Sequence, residues 1–196
     1  MSKNTLFPIF LKTDQAHFLI VGGGNIGLEK TETLLKQNPE VKITIVSPDF
    51  LEEVKNISAQ NSNVTLKQKL FDETDLESVD FVIAATNIKE INAEIKTLAN
   101  ARKILVNAAD QPDLCDFYLG SIVNKGNLKI AISTNGKSPT IAKRLKETLH
   151  ESLPEQLDDL ILNLNKLRNQ LSGDFKNKVH ILNKVTENLS SHPEDF

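Results

Sequence analysis

The chain has 196 residues, 23 Lys and Arg against 26 Asp and Glu for a net charge of −3, 39% hydrophobic residues and 25% charged ones. At roughly 150 residues per domain this is one full domain and part of another, and the balanced composition excludes a disordered or fibrous chain and offers nothing to attract nucleic acid. The single cysteine, Cys115, has no internal disulfide partner, which points to a reducing compartment. No run approaches the ~20 apolar residues of a membrane span, and the apolar stretch 6–11, interrupted by Pro8, lacks the cleavage pattern of a signal peptide. A cytoplasmic chain with no membrane or nucleic-acid partner is expected.

His17-Phe-Leu-Ile-Val21 is a short apolar run, followed at once by Gly22-Gly-Gly-Asn-Ile-Gly27 and a helical stretch over 28–36. Gln37-Asn-Pro-Glu40 turns the chain back, and the β-branched run 41–46 completes a βαβ unit. Strands are predicted at 64–66, 81–85 and 104–106, with helices near 52–59 and 91–101. This alternation predicts an α/β chain with a Rossmann-type, mostly parallel sheet covered on both faces. After Asp110 the texture changes. A loop over 111–116 leads to strands at 121–123 and 128–133 around a hairpin turn at 124–127. Ser138-Pro139 supplies an N-cap and a proline at the first helical position, and the helix runs to about Leu153, where Pro154 stops it. From Glu155 to Leu189 leucines spaced by three and four predict helix, broken near Ser172-Gly173.

The spacing Gly22-x-Gly24-x-x-Gly27 follows a strand and opens a helix, the context in which glycines admit a tight turn, a backbone approach to a pyrophosphate and close helix–strand packing. The helix N-terminus adds free N–H groups and a positive dipole end. Gly22, Gly23, Gly24, Asn25, Ile26 and Gly27 are therefore candidate cofactor residues. Beyond Val46 come Ser47, Pro48 and Asp49, with no Arg to hold a 2′-phosphate, so NAD is favoured over NADP and Ser47 or Asp49 is the candidate ribose partner. Ligands of such sheets bind outside the carboxyl ends of the strands, where Thr86-Asn87 and 107–110 fall. Asp110 there is a candidate proton acceptor, although spacing alone favours a turn or cap residue. Cys115 has no His within thirty residues and reads as a passive thiol. His17, His150, His180 and His192 show no ligand spacing, and no metal site is expected.

Between Phe117 and Lys146 there is no carboxylate, whereas Lys125, Lys129, Lys137, Lys143, Arg144 and Lys146 are cationic. Such a window concentrates an anionic ligand, although a solvated face would read the same way. The run from Ala131 to Ser138 nearly spells a P-loop, but Ala131 replaces the first glycine and Pro139 removes a donor. An anion site suited to a carboxylate remains, with Lys137 and Ser138 at a helix start.

Taken together, Leu6 to Leu11, Val21 to Asn25 with Glu29-Lys30, Val46-Ser-Pro48, Ala84-Ala-Thr86 with Asn92, Val106-Asn107 with Asp110, and Ile132-Ser-Thr134 with Gly136-Lys-Ser-Pro139 resemble the siroheme synthase dehydrogenase/chelatase family. The stretches run in order over 6–154. The chain departs from the family pattern at Gly120, where proline is usual after a strand at Phe117, and at Gly27, where alanine is common; the methyltransferase domain of the fused enzymes is absent. The resemblance implies NAD-dependent oxidation of precorrin-2, a carboxylate-rich tetrapyrrole, to sirohydrochlorin, with Asp110 handling protons. It implies substrate contacts at Thr134, Lys137, Ser138 and Arg144, and a homodimer interlocked through 113–149. Fe²⁺ insertion, found in part of the family, is left open. The expected organisation is an NAD-binding domain over 1–112, a mixed α/β dimerisation and substrate segment over 113–149, and a helical region over 150–196. A non-catalytic NAD(H)-sensing module and an interaction protein on a relic Rossmann fold are the alternatives.

Overall fold

The computed structural model describes residues 4–171 and 175–186. The chain divides into two compact units, Met1–Leu119 and Gly120–Phe196. In the first, β1 (His17–Gly23), α1 (Asn25–Gln37), β2 (Lys42–Phe50), α2 (Glu52–Gln60), β3 (Val64–Gln68), β4 (Phe81–Ala84), α3 (Lys89–Ala101) and β5 (Leu105–Ala108) follow one another, with short 3-10 turns at Glu73–Leu76 and Pro112–Leu114. The strands lie in the order β3-β2-β1-β4-β5, all parallel. This is the Rossmann-type sheet that the alternating pattern predicts. After β3 the chain crosses back to place β4 against the other side of β1, which makes the carboxyl end of β1 the switch point of the sheet.

Side-chain alternation along β1 sorts the core into two layers. Phe18 and Ile20 pack with Leu34 of α1 and Val54 of α2, whereas Leu19 and Val21 pack with Ile95 and Ala99 of α3. Ile20 pairs with Ile45 and with Ile83, all three without solvent exposure. Each such side chain contributes about 1.5–3 kcal/mol of transfer free energy against the entropy of ordering it.

Two local expectations are corrected. β2 reaches Phe50 rather than Val46, because Gly23 pairs with Phe50 beyond a bulge that follows the Val21–Val46 pair. Pro48, which has no N–H to give the ladder, falls within the irregular stretch. Phe117 lies in a bend, not a strand. There the Asp116 carboxylate accepts from the Val106 N–H at 2.9 Å, the Asp116 N–H donates to the Val106 carbonyl at 2.7 Å, and the Asn107 amide donates to the Phe117 carbonyl at 2.9 Å. A carboxylate thus takes the place of a strand partner along the edge of β5.

The second unit holds an antiparallel hairpin, β6 (Ser121–Lys125) and β7 (Leu128–Ile132), and the helices α4 (Pro139–Ser152), α5 (Leu157–Gln170) and α6 (Phe175–Val185). The hairpin turn centres on Gly126, at φ +58°, and Asn127, whose backbone and side-chain amides donate to Asp158 of α5 at 2.7 and 2.8 Å. α4 starts as its sequence predicts, with Ser138 as N-cap and Pro139 first in the helix. The expected break at Ser172-Gly173 and the end of the helical region at Leu189 lie outside the described residues. No helix among the described residues is long and apolar enough to cross a membrane.

Candidate functional site

A cavity of about 480 Å³ opens at the carboxyl edge of the sheet where β1 meets β2 and β4. Gly22, Gly23, Gly24, Asn25 and Ile26 line it from the turn between β1 and α1, Ser47 and Pro48 from the bulge in β2, and Thr86 from the loop after β4. The close packing behind this wall explains why glycine is needed. Gly22 sits at φ +123°, and a Cβ there would stand 2.5 Å from the Ala85 carbonyl oxygen. A Cβ on Gly27 would come within 2.0 Å of the Gly22 carbonyl oxygen, so Gly27 does not line the cavity but lets α1 seat directly on β1. Gly24 differs from both: nothing lies within 4 Å of the position its Cβ would take.

Gly24 is also the N-cap of α1 and offers no side chain to the first turn. Its carbonyl receives the Leu28 N–H at 2.9 Å, while the N–H groups of Asn25, Ile26 and Gly27 precede the first intrahelical bond. No charged residue lines the cavity. Backbone donors and the helix dipole are thus what this wall presents to an anion, and the space over Gly24 is open. The residues suit a dinucleotide on these observations.

Thr86 is fixed from beneath. Its hydroxyl donates to the Asn92 side-chain oxygen at 2.7 Å, and the Asn92 amide donates to the Thr86 carbonyl at 3.1 Å, with Asn92 fully buried. Leu70, Phe71, Ile88 and Ile91 also line the cavity. Sequence reasoning missed them, although apolar residues lying just beyond the ends of β3 and β4 were the available signal. Asp49 is exposed and stands outside the lining, its carbonyl packed against Gly23.

Asp110 follows β5 on the same edge of the sheet, exposed and in the left-handed region at φ 56°. The Ala109 N–H donates to the Ala84 carbonyl at 2.9 Å, which holds the end of β5 to the end of β4. Asp110 is outside the cavity lining. Cys115 behaves as a passive thiol: it donates to the Ala108 carbonyl and accepts from the Ala108 N–H, both at 3.2 Å, and burial pushes the thiol up. His17 is a packing residue at the opposite, amino edge of the sheet. Its ring bridges the Ser78 carbonyl at 2.7 Å and the Thr44 hydroxyl at 2.9 Å, and burial lowers its pKa. Among the described residues no group of three metal-ligating side chains is assembled.

In the second unit, Thr134, Lys137 and Ser138 share the turn between β7 and α4. The Thr134 carbonyl accepts from the Lys137 N–H and its hydroxyl from the Ser138 N–H, both at 3.1 Å; Asn135 and Gly136 take positive φ. The Ser138 hydroxyl oxygen accepts from the Ile141 N–H at 3.3 Å, which leaves its own proton to donate. Lys137, Lys143 and Arg144 are exposed and pair with no carboxylate among the described residues, whereas Lys125 pairs with Glu155 at 2.6 Å.

A family model described as "Putative NAD(P)-binding" matches residues 9–121, and one described as "Sirohaem biosynthesis protein central" matches residues 125–152. Siroheme synthase from Pseudoalteromonas translucida is 37% identical over 169 residues, covering 86% of this chain and 35% of its own length. That from Psychromonas ingrahamii is 36% identical over 180 residues, covering 91% and 35%. The chain thus spans about a third of the length of these curated relatives. The solved structure of SirC, precorrin-2 dehydrogenase, superposes with a TM-score of 0.74 at 27% identity, covering 94% of this chain and 93% of that one.

Proposed function

Because this chain belongs to the NAD(P)-binding family and continues into a sirohaem-biosynthesis central segment, we propose that it oxidises precorrin-2 to sirohydrochlorin with NAD. One observation carries the reading: a charge-free cavity with a glycine-backbone wall at the switch point of the sheet, in a chain similar over nearly its whole length to a precorrin-2 dehydrogenase. NAD, when bound, supplies the carbon that accepts the substrate's hydride.

The protein's own groups do the rest. The first-turn N–H groups of α1 hold the diphosphate over Gly24, while Ser47, which lines the cavity where Asp49 does not, meets the adenosine ribose. Thr86, locked by Asn92, positions the reactive end of the cofactor at the loop after β4. Asp110 takes the proton that leaves as the macrocycle is oxidised, its carboxylate acting as general base. Lys137 and Arg144 pair with substrate carboxylates, and the hydroxyls of Thr134 and Ser138 add hydrogen bonds. Where Fe²⁺ is offered as a further substrate, Asp110 is the group that would receive the pyrrole protons. The working protein is a cytoplasmic homodimer.

Incubating the full chain with precorrin-2 and NAD tests this directly, by following reduced nicotinamide and the sirohydrochlorin chromophore, then adding Fe²⁺. Product and NADH forming together are expected. NADH binding without turnover would leave a sensing module, and no binding at all would overturn the cofactor site. Gly24→Asp provides the companion control: its side chain has room, so the thermal unfolding midpoint is retained while NAD affinity falls by about a hundredfold or more through phosphate repulsion.

A further inference from the structure

The end of β3 lies against the part of β2 that lines the cavity. Ser47 pairs with Gln68 across the sheet, the Lys69 N–H donates to the Ser47 carbonyl at 3.1 Å, and Leu70 and Phe71 then line the cavity beside Ser47 and Pro48. In folds of this kind the end of the second strand meets the adenosine ribose, where an acceptor suits a 2′-hydroxyl and a cation suits a 2′-phosphate. The backbone of Lys69 is held at this corner, one residue before the lining residue Leu70.

The Lys69 ammonium is held from two sides. Asp75 accepts from it at 2.8 Å, and Asp72 pairs with it as well. Asp75 anchors the group: its side chain is only 1% exposed, and it also accepts from Lys67 and from the Asp72 N–H, each at 3.1 Å. Asp72 in turn caps the 3-10 turn by accepting from the Thr74 N–H at 2.9 Å. The Lys69 ammonium and the Thr74 hydrogen bonds hold the Asp72 carboxyl at about 2, so it stays ionised at any pH near neutrality. Two lysines and two aspartates therefore cancel, next to a cavity wall that carries no charge of its own.

We propose that Asp72 and Asp75 set the dinucleotide preference: by holding Lys69 they deny a 2′-phosphate its counter-charge, so the cavity takes NAD and discriminates against 2′-phosphorylated dinucleotides. The proposal rests on the cofactor reading of the cavity and goes further by naming what decides between the two cofactor classes. The two aspartates are specificity residues acting through Lys69, not groups that touch the ribose.

The test is a titration of the full chain with NADH and with NADPH, for wild type, Asp72→Asn, and Asp72→Asn combined with Lys69→Met. Asparagine keeps an oxygen for the cap on Thr74 and removes only the charge. Asp72→Asn is expected to raise the ratio of NADPH to NADH affinity about fivefold, the scale of one unit charge near a solvated site. The gain fades at high salt, and adding Lys69→Met returns the ratio to the wild-type value. A merely structural role for Asp72 would weaken both ligands together and leave the ratio unchanged. An unchanged ratio, a gain that survives without Lys69, or a wild type that binds NADPH as tightly as NADH would overturn the proposal. Asp72→Ser, which also caps, repeats the measurement should the asparagine variant fail to fold. A wild type that binds neither dinucleotide would remove the cofactor reading itself, and this proposal with it.

Discussion

The two units of the chain solve different problems. In the first, five parallel strands are covered on both faces, and nearly every residue of β1, β2 and β4 that faces a helix layer is buried. In the second, among the described residues, only Val123 and Ala142 join the buried hydrophobic set. The first unit also keeps its ligand wall uncharged, whereas the second displays Lys137, Lys143 and Arg144 unpaired among the described residues. A covered parallel sheet needs no outside surface to be stable. A two-stranded hairpin with amphipathic helices does, which is the physical support for the homodimer proposed above.

The contrast in chemistry is sharpest at Asp110. If the first unit carries the reaction, Asp110→Asn lowers kcat for precorrin-2 oxidation by about 10²- to 10⁴-fold, with NAD affinity unaltered, because the phosphate and ribose walls lie on other strands. Steady-state kinetics beside NAD titration checks this; a wild-type kcat would leave Asp110 as a turn residue. The contrast in packing comes next. Ile45→Ala empties a fully buried site in β2 and is expected to cost about 2–5 kcal/mol in urea unfolding. Ile141→Ser, on an exposed face of α4, changes the unfolding stability of the first unit by less than about 0.5 kcal/mol but shifts light scattering from dimer towards monomer. Equal stability losses would break the comparison.

The cationic surface gives a smaller effect. Lys137→Glu together with Arg144→Glu raises the KM for the carboxylate-rich substrate about tenfold and leaves kcat and NAD binding in place. A KM untouched by both reversals would reduce the basic window to a solvated face. The smallest effect is at the amino edge of the sheet. Burial, the largest cause, lowers the His17 pKa below its ordinary 6.5. The unfolded chain therefore binds the proton more readily, and the His17 contribution is full above pH 6.5 and lost as pH falls through the lower folded value. Urea midpoints measured at about pH 8 and about pH 5 should fall less steeply with acid in His17→Gln than in wild type.

Much of this was legible without coordinates, and for identifiable reasons. The run from His17 through Gly27 is local: an apolar strand, a glycine turn and a helix start are each specified by neighbouring residues, and so is the Ser138-Pro139 cap of α4. The alternation of strands and helices then admits little besides a parallel sheet with both faces covered. Gly22, Ser47 and Thr86 could be named as candidates because each follows a predicted strand, and strand ends share an edge in such a fold.

What the linear order does not carry is which strand ends become neighbours and how closely. The crossing from β3 to β4 places Thr86 beside Gly22, two segments separated by three strands' worth of chain. The bulge that extends β2 to Phe50 depends on pairing with Gly23, and no property of 46–50 alone announces it. The same holds for Leu70 and Phe71, which gain a role only because β3 is the neighbour of β2, and for Asp116, whose carboxylate finds the β5 edge ten residues back in the chain. Periodicity and turn chemistry act over a few residues and were therefore readable in the sequence. Register between distant strands, which makes Ser47 and Leu70 neighbours, is set by long-range packing, so only the tertiary structure decides it.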